Sequence, residues 1–344
     1  VSDVIGAFDV DADSIADLVT ANVGAQSIQV MLNGSQGATF TTTSYATGAE
    51  PTVIGAGDLE GDGDQDLIVG NRLQQTVAIL FNDSTGTFAT PTEIFVGRPV
   101  TEMVIADMDT DQDIDIAVTD DAIGTIAIYQ NDGLGSFGAP KLITGPVNAT
   151  SMVGGDFNGD GITDLLVSSS DGSVTLLRNL GNASFQIEPS MTLSGTPTHL
   201  QAGDFDIDGD VDFAAAASDQ TVRIWRNQGD GSFGDSSQVA LADTVTSLTA
   251  VDLDEDGYLD LLAPLPNGQI TVLINDANGA FTDTTVVGVQ TALGVGTAGD
   301  LDGDAIADLA LVRPTDNGLL FYDNPIPQNI KLPVAPRDLV AMDT

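Results

Sequence analysis

Apolar residues along this chain come in short runs of four to six, separated by turn-forming Gly, Asn and Asp. The stretch from Pro51 to Gly97 shows the pattern. Thr52-Val53-Ile54-Gly55-Ala56-Gly57 reads as a first strand and Asp66-Leu67-Ile68-Val69-Gly70 as a second. Thr76-Val77-Ala78-Ile79-Leu80-Phe81 is a third, and Thr92-Glu93-Ile94-Phe95-Val96 a fourth. Between the last two lies Asn82-Asp83-Ser84-Thr85-Gly86-Thr87-Phe88, with Asn and Gly where a turn needs special backbone angles. No segment carries a 3.6-residue apolar period, so the chain is predicted to be all-β.

The same unit returns along the whole sequence. In the third strand, Val30, Ile79, Ile128, Leu176, Ile224, Val272 and Phe321 align, and beside them Met31, Leu80, Tyr129, Leu177, Trp225, Leu273 and Tyr322. Both registers are apolar, as expected of sheets sandwiched between other sheets. The first strand carries a small residue two positions before the acidic motif that follows it: Ala7, Ala56, Gly154, Ala202, Ala250 and Ala298, with Ile105 the exception. Small side chains suit a crowded innermost strand. Four short strands per 40–50 residues predict a propeller blade, and seven such periods a seven-bladed β-propeller of four-stranded antiparallel blades. The blades divide near 1–48, 49–97, 98–146, 147–194, 195–242, 243–290 and 291–335, in a single domain over 1–344.

Between the first and second strands stands an acidic cassette, Asp-x-Asp/Asn/Glu-x-Asp-x-x-x-Asp. Its first Asp falls at Asp9, Asp58, Asp107, Asp156, Asp204, Asp252 and Asp300, in steps of 49, 49, 49, 48, 48 and 48. The copies are Asp9/Asp11/Asp13/Asp17, Asp58/Glu60/Asp62/Asp66, Asp107/Asp109/Asp111/Asp115 and Asp156/Asn158/Asp160/Asp164. Asp204/Asp206/Asp208/Asp212, Asp252/Asp254/Asp256/Asp260 and Asp300/Asp302/Asp304/Asp308 complete the set. Oxygen side chains at positions 1, 3, 5 and 9, with a backbone carbonyl at 7, offer the all-oxygen shell that calcium prefers. Magnesium would demand stricter octahedral geometry. A single cassette could merely cap a turn. Seven in register, every ligand position filled, point to metal, and the expected role of up to seven Ca2+ is structural. Position 6 favours Gly, as at Gly63, Gly161, Gly209 and Gly257; Ser14, Gln112 and Ala305 depart, so their loops are expected to bind more weakly. Glu60, with its longer side chain, marks another altered site.

Charge narrows the partners. The net charge is −42, from 51 acids against 9 bases. Twenty-seven of the acids belong to cassettes, which leaves 24 and still a clear acidic excess. Lys141 and Lys331 are the only lysines, so nucleic acid and anionic lipid are poor partners. The absence of Cys excludes disulfides, Cys-based zinc sites and thiol catalysis. No run approaches the roughly 18 apolar residues of a membrane helix, so no membrane insertion is expected. With no basic-then-apolar leader after Val1, any signal peptide is expected to have been removed already.

The blade resembles the FG-GAP/VCBS repeat family, which includes the calcium-binding blades of the integrin α-subunit head and many secreted bacterial proteins. The resemblance rests on cassettes such as Asp156-Phe157-Asn158-Gly159-Asp160-Gly161-Ile162-Thr163-Asp164-Leu165. The preceding Gly154-Gly155 and the turn Asn227-Gln228-Gly229-Asp230-Gly231-Ser232-Phe233 match as well. It covers essentially the whole chain and implies a seven-bladed propeller with calcium in each first-to-second-strand loop. It implies no particular ligand.

Other residues favour packing over chemistry. Trp225, flanked by Arg223 and Arg226, aligns with Met31, Leu80, Tyr129, Leu177, Leu273 and Tyr322, which points to inter-blade packing rather than sugar stacking. His199, the only His, aligns with Val4, Val53, Glu102, Ser151, Ser247 and Val295, a mixed position near the mouth of the axis. No nucleophile accompanies it, so no enzyme is predicted. Calcium loops and Asn-Gly turns should share one face. The opposite face carries the variable loops, with Arg72, Arg98, Arg313 and the Asp120-Asp121 pair, and is the expected partner face. Pro336–Asp343 aligns with the first strand although Val1–Phe8 already supplies one, and Asn324 lacks the Asn-x-x-Gly-x-Phe turn. This spare segment (336–344) either takes a special place at closure or marks a cut from a longer polypeptide. The expected function is a secreted or cell-surface, calcium-stabilised binding or adhesion module for a protein or glycan. The alternative is a building block of a surface or filamentous assembly, with the C-terminal strand making the contact.

Overall fold

The computed structural model describes residues 4–34, 40–120, 124–276, 279–281, 283–288, 291–315, 318–322 and 337–341. Among these every regular element is a strand, and the strands form seven antiparallel meanders arranged as a β-propeller. Blade 1 holds β1 (Ile5–Phe8), β2 (Asp17–Asn22), β3 (Ser27–Asn33) and β4 (Phe40–Ala46). Blade 2 holds β5 (Pro51–Gly57), β6 (Asp66–Asn71), β7 (Thr76–Leu80) and β8 (Thr92–Phe95). Blade 3 follows with β9 (Met103–Ala106), β10 (Asp115–Asp120), β11 (Thr125–Tyr129) and β12 (Lys141–Thr144). In blade 4, β13 (Ala149–Gly155), β14 (Asp164–Ser169) and β15 (Ser173–Asn179) are flanked by a split outer strand, β16 (Phe185–Ile187) and β17 (Met191–Thr192). Pro189 lies in the gap, where a backbone donor is missing. Blade 5 has β18 (Pro197–Gly203), β19 (Asp212–Ala217), β20 (Thr221–Asn227) and β21 (Phe233–Ala240). Blade 6 has β22 (Thr249–Val251), β23 (Asp260–Pro264), β24 (Gln269–Ile274) and β25 (Asp283–Gly288). Blade 7 has β26 (Gly296–Gly299), β27 (Asp308–Arg313), β28 (Gly318–Tyr322) and β29 (Arg337–Ala341).

β29 changes one expectation. The segment that aligns with the first strands is hydrogen-bonded to β28 as the outer strand of blade 7, with Phe321 opposite Arg337 and Gly318 opposite Ala341. The sequence after β28 lacks the Asn-x-x-Gly-x-Phe motif that leads into the fourth strand of other blades, and the edge of β28 is taken by a strand from later in the chain. Asn324 itself lies outside the described residues.

The first strands lie against one another around the ring, β1 to β5, β9, β13, β18, β22, β26 and back to β1. The core is accordingly not one mass but seven clusters, each between two blades. Val19, Ile28 and Val30 of blade 1 meet Leu67, Val69 and Leu80 of blade 2. The other interfaces repeat this, through to Leu18 and Met31 of blade 1 against Leu301, Ala310, Val312 and Phe321 of blade 7. The two apolar registers of the third strand explain the pattern. Val30, Ile79, Ile128, Leu176, Ile224, Val272 and Phe321 pack on the following blade, and their neighbours on the preceding one. Trp225 belongs to this packing, stacked on Phe213 at 6.1 Å between ring centroids. Ile105, the bulky exception on the first strand, fills the space over Gly55, where a Cβ would overlap its Cδ1. The ring closes without exchanging a strand: Ala16 N–H donates to the Asp300 carbonyl (2.7 Å), and Phe40 meets Phe321 edge to face.

Candidate metal centres

Each cassette loop is held by its own carboxylates. In all seven, the position-6 N–H donates to the position-1 carboxylate at 2.8–3.0 Å, as Ser14 to Asp9 and Gly161 to Asp156. The position-7 N–H donates to the position-5 carboxylate at 2.9–3.1 Å. The position-9 Asp starts the second strand and is fully buried in every blade. One of its oxygens accepts the position-2 N–H, as Leu59 to Asp66 at 2.9 Å. The other accepts the N–H of an Asn at the end of the third strand, from Asn33, Asn82, Asn131, Asn179, Asn227 and Asn275. So these aspartates do cap turns. Capping and metal binding use the same carboxylates, whose two oxygens have lone pairs for both.

What capping leaves over is negative charge. Three carboxylates come within 4.8 Å of one another in five loops: Asp9/Asp11/Asp13, Asp107/Asp109/Asp115, Asp204/Asp206/Asp212, Asp252/Asp254/Asp260 and Asp300/Asp302/Asp304. Burial raises Asp17 and Asp260 to about 7, and Asp115, Asp164 and Asp212 to about 6, against the relief their N–H donors give. Asp11, Glu60, Asp109, Asp206 and Asp254 at position 3 are raised too, by burial first and by neighbouring carboxylates after it. Buried oxygens of Asp109, Asp206 and Asp252 have no hydrogen-bond partner. An orphaned carboxylate oxygen inside an all-oxygen cluster is what a hard cation would satisfy. The donor set therefore fits calcium.

The sets of four expected from the sequence are brought together in part, and position 5 is where the loops differ. Its side chain is exposed in every copy: Asp13, Asp62, Asp111, Asp160, Asp208, Asp256 and Asp304. Asp13 and Asp304 join a triple, but Asp62, Asp111, Asp208 and Asp256 do not, and neither does Asp160. The turn-back of position 5 onto the position-7 N–H is common to all seven loops, Asp13 and Asp304 included, so it does not by itself decide which carboxylates gather. In blades 3, 5 and 6 the triple is made instead by positions 1, 3 and 9, with Asp111, Asp208 and Asp256 on the solvent side of it. In blades 1 and 7 the buried Asp17 and Asp308 stay outside and position 5 takes their place.

The loops are not equal. Among the described residues, those at Asp58/Glu60/Asp62/Asp66 and Asp156/Asn158/Asp160/Asp164 form no such triple. The first has the longer Glu60 at position 3. In the second, Asn158 supplies one carboxylate fewer and its amide donates to Asp164 at 2.8 Å. In blade 5, Arg226 lies 3.5 Å from Asp206 and offsets part of the charge.

Backbone angles show a requirement that the sequence reading missed. Position 6 takes positive φ in every copy, including Ser14 (71°), Gln112 (77°) and Ala305 (71°). Position 4 does so as well: Ala12, Gly61, Thr110, Gly159, Ile207, Glu255 and Gly303. Side chains other than Gly cost energy there, β-branched Thr110 and Ile207 most. The signal was available, since position 4 holds Gly in three of seven copies. The Asn at the third-strand end was also underread as a turn residue. Its side-chain amide donates across the interface to the position-2 carbonyl of the preceding blade at 2.5–2.8 Å, as Asn131 to Leu59. Its recurrence 23 or 24 residues after each cassette start was the clue. These staples also put cassettes and third-to-fourth-strand turns side by side on one face.

The opposite face is built from different parts. Arg72 pairs with Glu50 at 3.6 Å, so it ties a loop to the inter-blade connection. Leu73 and Phe95 of blade 2 and Val147 after blade 3 are strongly exposed there, at 71%, 73% and 54%. His199 and Glu102 occupy equivalent first-strand positions, each bonded to the next blade's backbone, at Thr246 and Met152. Burial lowers the His199 pKa and raises Glu102 to about 7, so their surroundings disfavour the charged form of each. Ser151 and Ser247 also bond to the next blade's backbone, with hydroxyls that accept from Leu200 and Gly296. Asp121 lies outside the described residues. A cavity of about 330 Å³ opens between blades 4 and 5 beside the split outer strand, lined by Leu176, Arg178, Glu188, Met191 and Phe233 among others.

Comparison with known proteins settles the lineage. The profile of the FG-GAP-like repeat matches five overlapping stretches, 9–69, 58–118, 107–167, 156–215 and 204–263, more than half of the chain. The chain belongs to the FG-GAP-like repeat family. This FG-GAP propeller has no match among curated proteins. Solved structures share its fold. BBS1N in complex with ARL6DN superposes with a TM-score of 0.69 at 14% identity, over 96% of this chain and 94% of that one. An Agrocybe aegerita lectin that recognises non-reducing terminal N-acetylglucosamine gives 0.65 at 20% identity, over 83% and 80%. The computationally designed Ika8 protein gives 0.58 at 13%, over 94% and 83%. At these identities the likeness is one of fold.

Proposed function

We propose that this FG-GAP propeller is an extracellular, calcium-stabilised binding module, not an enzyme, that recognises a protein or glycan through the face opposite its calcium loops. The observation that carries it is the asymmetry of the two faces. One repeats a single carboxylate loop seven times and offers little to tell one partner from another. The other carries connections that differ from blade to blade, with Leu73, Phe95 and Val147 exposed. Leu134, Leu180 and Ile207 are exposed on the calcium face too, so it is the variation of the loops, not apolar exposure alone, that separates the two faces. Exposed apolar groups of this size favour a partner surface. Calcium supplies positive charge to clusters that are otherwise self-repelling, and each site stabilises the folded state by an amount that grows with the logarithm of the calcium concentration above its dissociation constant. That other propellers serve in a protein complex or recognise a sugar supports the class of partner. In the assembly reading the contact would fall to the outer edge of β29, whose inner edge pairs with β28.

The test is a glycan array together with capture from cell-surface extracts, both in calcium. A partner found either way should be lost by the double change Leu73→Asp and Phe95→Asp. It should be kept by Asn182→Ala, which lies in a turn of the calcium face. The reverse result would move recognition to the calcium face and make the ion part of it.

A further inference from the structure

Each blade ends in an outer strand with one edge to solvent, and six of the seven show a device that blocks pairing there. β8 has four residues, follows Pro91 and carries Glu93; β12 has four, follows Pro140 and begins on Lys141. The outer strand of blade 4 is broken at Pro189. β21 contains Asp235 and a register shift, β25 opens on Asp283, and β29 begins Arg337-Asp338 and shifts register too. β4 has none of these. Its seven residues, Phe-Thr-Thr-Thr-Ser-Tyr-Ala, hold no charge, Pro or Gly, and they pair with β3 from Asn33–Phe40 to Ser27–Ala46 without a shift. Thr41, Thr42, Thr43 and Ser44 are all exposed. The strand is also held at both ends, Phe40 against Phe321 and Tyr45 against Phe88. It is an uncharged edge in continuous register, anchored at both ends.

We propose that β4 is a self-association edge, pairing antiparallel with β4 of a second copy of this chain across a two-fold axis at Thr43. The sequence is its own complement in that register. Thr43 faces Thr43, Thr42 faces Ser44 and Thr41 faces Tyr45, and Thr–Thr and Thr–Ser are favourable cross-strand pairs. No charged side chain of the strand meets its own copy. An uncharged edge also holds nothing that would select a charged segment of a different protein. The two outer blades would join into one continuous sheet. The net charge of −42 opposes any approach of two copies, so pairing should strengthen with calcium and with salt.

The natural lack of Cys makes the register measurable. Directly opposed residues of an antiparallel pair lie about 4.5–5.5 Å apart at Cα, within the span of a disulfide. Thr43→Cys should therefore cross-link to itself under mild oxidation in calcium, while Thr92→Cys on β8 should not. In sedimentation equilibrium the wild type should dimerise, and Thr43→Lys, which sets like charges face to face, should weaken the dimer at least tenfold with unchanged melting. A wild-type chain that stays monomeric in calcium and 0.5 M salt, or a dimer indifferent to Thr43→Lys, would overturn the assignment. Cross-linking at Thr92→Cys equal to that at Thr43→Cys would do the same.

Discussion

The cassette loops of blades 3 and 4 solve one geometric problem in opposite ways. Blade 4 has Gly159 and Gly161 where the chain must take positive φ, so its turn forms without strain, but Asn158 replaces a carboxylate and its loop gathers no acidic triple. Blade 3 has Thr110 and Gln112 at those positions, yet it gathers Asp107, Asp109 and Asp115 and leaves an Asp109 oxygen without a partner. Blades 1 and 2 repeat the contrast, with Ala12 and Ser14 against Gly61 and Gly63. Strain and uncompensated charge fall together in one pair of loops, ease and dilution in the other. Metal binding would favour ordering of the strained pair, while the Gly-rich pair can form its turn unaided. In these four blades the loops under strain are also the ones whose gathered charge an ion would offset.

The largest effect should come from removing the metal altogether. Seven independent sites, each held tenfold above its dissociation constant, would contribute about 10 kcal/mol, as much as a typical domain's whole stability. Melting in chelator should then fall by well over ten degrees. Superimposable curves in calcium and chelator would end both the metal assignment and the comparison.

Next in size is the response to pH in chelator. Asp17, Asp115, Asp164, Asp212 and Asp260 are raised to about 6 or 7, above the ordinary unfolded value near 4. A folded state that holds protons the unfolded chain has released is stabilised at low pH, and that stability is lost as pH rises from about 4 to 7. The metal-free propeller should therefore melt higher at pH 5 than at pH 8. Calcium, which favours the ionised form, should flatten or reverse the trend. A metal-free protein more stable at pH 8 would show that these carboxylates are charged and satisfied without an ion.

Within one loop, positions 3 and 9 should separate capping from metal binding. Asp115 accepts N–H groups from Met108 and Asn131 on its two oxygens. Asp115→Asn turns an amide toward one of them, which orphans a buried donor and should cost about 1–3 kcal/mol with or without calcium. Asp109 accepts from the Asp111 N–H and the Gln130 amide, bonds that the remaining carbonyl oxygen of Asp109→Asn can keep in part, so most of its cost should appear only in calcium. Equal losses for both variants in chelator would mean that Asp109 also holds the turn.

Much of this was legible in the chain because repetition averages out local ambiguity. A 48- or 49-residue step, two apolar registers and one cassette determine blade, ring and sites together. What was not legible depends on neighbours or on angles. Spacing alone makes Asp111 and Asp256 look equivalent to Asp109 and Asp254, yet their carboxylates are committed to the turn and face solvent. The amide of Asn131 reads as turn chemistry until the preceding blade brings the Leu59 carbonyl beside it. Arg72 reads as a free rim charge until Glu50 is placed next to it. The 337–341 strand resembles a first strand by sequence, but its place is set by the open edge of β28, a tertiary vacancy no local pattern records. Positive φ at position 4 was hidden because Ile207 and Thr110 occupy it and argue against it.

The smallest effect tests the contrast between blades 3 and 4 directly. A Cβ at Gly161 would meet nothing within 4 Å, so Gly161→Ala carries no steric cost beyond the backbone itself. Its φ of 83° should make the change destabilising by about 1 kcal/mol. The converse change, Gln112→Gly, relieves the same strain but adds freedom to the unfolded chain, and the two terms nearly cancel. Thr110→Gly should gain more, since a β-branched residue is the poorest fit to positive φ. Denaturant melts in chelator should rank the three as loss, near-neutral and gain. A calcium titration of Thr110→Gly should show tighter binding at blade 3, because less of the ion's binding energy goes into ordering the turn. If Thr110→Gly is destabilising by as much as Gly161→Ala, strain is not what distinguishes the two loops, and the missing carboxylate at Asn158 alone must account for the difference.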